Sequence, residues 1–73
     1  MNNVALYNTD LYLWRNQRES YLERPYGGPV LQVTEGMVSD GMQVLARFSD
    51  DRQAKKVLAN AGFRKIGKDK YKA

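Results

Sequence analysis

The sequence predicts a small α+β domain: an antiparallel sheet with one packed helix, over about residues 50–61, and a basic C-terminal hairpin. Three observations carry this. The segment SDDRQAKKVLANAGF has a capped, helix-period pattern. GMQVLARFS alternates in the manner of a half-buried strand. Gly-Gly-Pro, Glu-Gly, Asp-Gly and Gly-Lys-Asp cut the rest into short pieces separated by turns. With 73 residues, the chain is expected to form a single small domain over residues 1–73. A domain of this size buries only roughly 60% of the surface its unfolded chain exposes. That leaves little room for a deep pocket.

The elements follow in chain order. Val4–Tyr7 and Leu11–Trp14 have strand composition and flank Asn8-Thr9-Asp10, a turn-like triplet. As a strand, Leu11–Trp14 places Tyr12 and Trp14 on one face and Leu11 and Leu13 on the other. Residues 15–29 are polar and end in Gly27-Gly28-Pro29, which predicts a loop, with a helical turn at Glu19–Glu23. Val30–Val33 reads as a strand, and Glu35-Gly36 and Asp40-Gly41 mark turns on either side of Met37-Val38. Met42, Val44, Ala46 and Phe48 then point one way, with Leu45 as the exception on the polar side. In the helix, Ser49 or Asp50 caps the start, Ala54, Val57, Leu58 and Ala61 form the apolar stripe, and Gly62 supplies a left-handed stop. FRKI and KYK pair around Gly67-Lys68-Asp69, with Phe63, Ile66 and Tyr71 as apolar contacts.

Composition narrows the chemistry. The chain has neither histidine nor cysteine, so the commonest general base, the commonest metal ligand and every thiolate are missing. No enzyme activity, cofactor, metal site or small-molecule substrate is expected. The opening MNNVALYNTD lacks the basic start and apolar run of a secretory signal, and no apolar run is long enough to span a bilayer. A soluble protein of the cytoplasm with no membrane partner is the expectation. Asp50-Asp51 is the only adjacent acid pair and suits a helix start better than a catalytic site. Gly27-Gly28-Pro29 lacks the Gly-Lys-Ser/Thr of a phosphate loop and reads as a turn.

Charge is unevenly placed. The formal net charge is +4, and all of it resides in RKIGKDKYKA, where Arg64, Lys65, Lys68, Lys70 and Lys72 face the single acid Asp69. Two readings fit these cations. They protect an exposed sheet edge from aggregation, or they contact an acidic surface or nucleic-acid phosphates, with Tyr71 available to stack a base. The aromatics crowd the other end: Tyr7, Tyr12, Trp14, Tyr21 and Tyr26 precede residue 27. Tyr and Trp are favoured at protein interfaces. These five, with Arg15 and Arg18, are therefore the expected partner-binding residues. The competing reading is that they cover a thin sheet.

The opening MNNVALYNTDLYLWRN and the closing VLANAGFRKIGKDKYKA carry a resemblance. The chain resembles the small RNA-polymerase-binding transcription regulators of lytic phages that infect plant-pathogenic bacteria. The resemblance implies a protein that binds host RNA polymerase on its β′ and β subunits near the RNA exit channel. It implies inhibition of σ-dependent initiation and read-through of terminators. The alternatives are a small basic module that binds nascent RNA or DNA phosphates without a protein partner, and an inhibitor of another host protein. The expected division of labour is docking by the aromatic first third and electrostatic attraction, or RNA contact, by the basic end.

Overall fold

The computed structural model describes residues 10–73. The first described residue already acts structurally. Asp10 adopts an extended backbone, and its carboxylate accepts a hydrogen bond from the Leu13 N–H at 3.2 Å, capping helix α1 (Leu11–Leu22). Leu11–Trp14 is thus the first turn of a helix and not a strand, and most of the expected loop over residues 15–29 is helical as well. The sequence reading of one helix becomes two. Trp14 and Tyr21, seven residues apart on one face, are both buried. Tyr12, placed beside Trp14 by the strand reading, points to solvent instead.

Five short strands follow: β1 (Leu31–Thr34), β2 (Met37–Ser39), β3 (Val44–Arg47), β4 (Arg64–Gly67) and β5 (Lys70–Lys72). They form one antiparallel sheet in the order β3-β2-β1-β5-β4. The turn between β1 and β2 has positive φ at both central residues, Glu35 at 52° and Gly36 at 79°, the handedness that suits the twist of a tight hairpin. Helix α2 (Asp51–Ala61) connects the outer strand β3 to the opposite edge β4. Asp50 caps it by accepting from the Gln53 N–H at 2.9 Å, and Gly62 ends it with φ 105°. The chain finally returns to the sheet centre, pairing Leu31 with Tyr71.

The core lies between this sheet and the helices. α2 packs on β1 and β2, and α1 packs on α2. Leu31, Val33 and Val38 point inward from the sheet to meet Ala54 and Leu58 of α2. Phe63, just beyond α2, meets Trp14 edge-on at 6.1 Å and Tyr21 edge-on at 6.3 Å between ring centroids. This aromatic wedge is what holds α1 to the rest. Two expected core residues behave differently. Met42 is 94% exposed, because Asp40 accepts from the Met42 and Gln43 N–H groups and holds residues 40–43 in a turn before β3 begins. Ile66 is 45% exposed, because the register slips between Lys65 and Gly67 and leaves it as the extra residue of a bulge.

Candidate interaction surface at the basic end

The β4–β5 hairpin orders the basic segment. Tyr71 points into the core and is buried, so its neighbours Lys70 and Lys72 lie on the opposite, open face of the sheet. Arg64 sits directly across from Lys72. Lys65 is paired with Tyr71 and so belongs to the helix side. The five cations are therefore divided by the pleat: Arg64, Lys70 and Lys72 on one face, Lys65 on the other, and Lys68 in the turn. Burial of Tyr71 removes it as a stacking platform, correcting that expectation.

Two of the charged groups are internally engaged. Asp69 accepts from the Lys55 ammonium at 2.7 Å, linking the hairpin turn to α2, while its backbone carbonyl accepts from the Val33 N–H at 2.9 Å. The hydrogen bond to Lys55 holds the Asp69 carboxyl below its usual range, with Lys68 and Lys65 adding to the effect, and the same bond raises Lys55. Lys72 is the second case. Its ammonium donates to the carbonyls of Tyr26 at 2.8 Å and Gly28 at 2.9 Å, tying the segment after α1 to the last strand. Expected as a contact for an acidic partner, Lys72 is first a structural residue. Arg64, Lys65, Lys68 and Lys70 remain exposed.

Gly27 and Gly28, at φ 79° and 87°, allow the chain to present those two carbonyls to one lysine. A Cβ on Gly28 would lie 2.4 Å from the Tyr21 side chain, so the loop also presses on the core. It is a cation-facing turn, the opposite polarity to a phosphate loop.

The predicted docking residues separate into groups. Trp14, with no exposure, and Tyr21 are core residues and cannot present their rings to a partner; that part of the expectation is corrected. Tyr12 is 70% exposed and Tyr26 64% exposed. Arg15 is exposed on α1, whereas Arg18 is half-buried, lies against Gly62 and reaches Glu19 at 3.7 Å. Tyr7 lies outside the described residues. Tyr12 lies in the first turn of α1, and Tyr26 lies beyond its other end, four residues after Leu22. They do not form one patch. A shallow groove of about 500 Å³ lies beside the first of these ends, with Leu11 and Val57 in its floor and Arg52, Lys56 and Asn60 on its rim.

The acid pair is used structurally at both positions: Asp50 caps α2, and Asp51 accepts from the Gly36 N–H. Sequence reasoning missed the approach of Tyr26 to the basic end. The Lys72 bond to Tyr26 spans 46 positions, and neither residue carries a local signal for it.

Among the described residues, no helix is long and apolar enough to cross a membrane. No family model matches the chain, and no curated protein or solved structure matches it either.

Proposed function

We propose that this protein is a phage-encoded transcription regulator that binds host RNA polymerase in the cytoplasm of the infected cell, inhibits σ-dependent initiation and promotes antitermination near the RNA exit channel. The resemblance of the opening and closing segments is the origin of the reading. The structural observation that supports it best is the rigid presentation of charge: Arg64, Lys65, Lys68 and Lys70 are exposed on a hairpin anchored to α2 by Lys55–Asp69 and to the post-α1 loop by Lys72. Fixed cations steer association toward an acidic surface without the ordering cost of a loose tail.

Docking specificity is assigned to the exposed face of α1, through Tyr12 and Arg15, beside the groove rimmed by Arg52 and Lys56. Trp14 and Tyr21 contribute by holding that helix in place. The test is binding to purified bacterial RNA polymerase holoenzyme, with run-off transcription from a host promoter and read-through of an intrinsic terminator. The paired variant Tyr12→Ala with Arg15→Ala should keep its fold and lose inhibition. Full inhibition by that variant contradicts the docking assignment. Affinity capture from bacterial lysate separates this reading from inhibition of another host protein, since the latter predicts capture of a partner other than polymerase.

A further inference from the structure

We propose that Tyr26 and the open face of the β4–β5 hairpin form one binding surface for single-stranded nucleic acid, separate from the α1 face assigned to polymerase. Three observations converge on it. The first is position. Lys72 holds the Tyr26 and Gly28 carbonyls at 2.8 and 2.9 Å, so the exposed ring of Tyr26 is brought to the end of the sheet where Arg64 faces Lys72. The second is the state of the ring. The Arg24 guanidinium donates to the Tyr26 hydroxyl at 3.2 Å and lies over the ring of Tyr21, 5.2 Å from its centroid. Arg24 thus fixes the Tyr26 ring at its hydroxyl edge, and the ring stays 64% exposed. The third is charge. Lys70 and Lys72 project from the same face of β5 about 7 Å apart, two residues along a strand, with Arg64 beside Lys72 across the hairpin.

An exposed aromatic face next to a row of cations is the combination that binds single strands: bases stack on the ring while the phosphates follow the charges. The stacking partner has to be unpaired, because bases inside a duplex already stack on one another. An acidic protein surface would use the cations but has no need of the ring, and this difference makes the two distinguishable. The surface does not depend on polymerase binding, since every group in it belongs to this chain and can be assayed in the isolated protein.

The experiment is fluorescence anisotropy of the purified protein with a labelled twelve-residue oligouridylate, competed by duplex RNA and by poly-glutamate of equal charge. Wild-type protein should bind the single strand at low salt. Tyr26→Ala should weaken binding about tenfold, within the range for loss of one stacked base, and Tyr26→Phe, which keeps the ring but loses the Arg24 bond, should recover most but not all of it. Tyr12→Ala, at the far end of α1, should have no effect. Arg64→Gln with Lys70→Gln should reduce the slope of log affinity against log salt by about 1.4, given about 0.7 per phosphate contact on a single strand. Circular dichroism of each variant confirms that it is folded. Two results overturn the proposal: Tyr26→Ala binding as tightly as wild type, or poly-glutamate competing as well as the oligouridylate. The second assigns the cations to an acidic protein instead.

Discussion

The Asp51 carboxylate accepts a hydrogen bond from the Gly36 backbone N–H at 2.6 Å, joining the first turn of α2 to the β1–β2 turn. Gly36 is locked from its other side as well, its carbonyl accepting from the Phe48 N–H at 2.7 Å. The same acid lies at the positive end of the α2 dipole. Replacing it by alanine leaves the Gly36 N–H without its partner. Asp51→Ala is expected to cost about 1.5–3 kcal/mol, the range for a hydrogen bond to a charged group. Asp51→Asn keeps an acceptor and should recover much of the loss. Urea unfolding of the two variants checks this, and equal destabilisation would assign the effect to charge alone.

Glu35 precedes Gly36 with φ 52° and has no glycine's freedom there. Asparagine tolerates left-handed backbone better than glutamate, and Asn-Gly is the preferred pair for this turn. Glu35→Asn is therefore expected to raise stability, seen as a higher melting temperature with the fold unchanged.

Trp14 and Tyr12 sit two residues apart and should respond in opposite ways. Trp14 is enclosed by Phe48 at 6.4 Å and Phe63 at 6.1 Å between ring centroids. Trp14→Ala should cost about 3–5 kcal/mol, a large part of the stability available to a domain of this size. Tyr12→Ala should leave the unfolding midpoint nearly unchanged. Any loss of partner binding by a Trp14 variant is then a folding effect, which is why the docking test uses Tyr12 and Arg15.

The pH dependence follows from Lys55 and Asp69. Asp69 is held below its ordinary value of 3.8 by the hydrogen bond from Lys55, so its contribution is present above that value and disappears as pH falls through the lowered pKa. Lys55 is raised above 10.5 by the same bond, so its contribution is full below that value and is lost as pH rises through the raised pKa. The pair supports the fold across the neutral plateau and weakens at both extremes. Asp69→Asn should flatten the acid limb of a stability–pH profile, and salt should reduce the difference between the variant and wild type.

α2 was legible because its determinants are local. Asp50 and Gly62 mark its ends, and Ala54, Leu58 and Ala61 repeat at helical spacing. The strands at Val30–Val33 and Met42–Phe48 were legible for the same reason, the first displaced by one residue and the second drawn too long at both ends, with Met42 and Gln43 belonging to the turn before β3. α1 was misread because its buried stripe is interrupted. Gln17 and Arg18, both half-buried, stand between Trp14 and Tyr21, while Leu11-Tyr12-Leu13-Trp14 mimics a strand. What decides the helix is packing of Trp14 and Tyr21 on Phe63, a contact that sequence periodicity does not contain. The basic end was visible as composition. Its division by the pleat, the commitment of Lys72 to two carbonyls and the arrival of Tyr26 beside it depend on β5 returning to the middle of the sheet next to β1.

The most direct measurement of the central claim is equilibrium binding of the purified protein to bacterial RNA polymerase holoenzyme, followed on one sample with a promoter run-off assay. The account predicts salt-sensitive association that suppresses initiation, with association slowed by neutralising Lys65, Lys68 and Lys70 and specificity lost with Tyr12→Ala and Arg15→Ala. Absence of any association with polymerase at low salt, from protein shown to be folded, would contradict it.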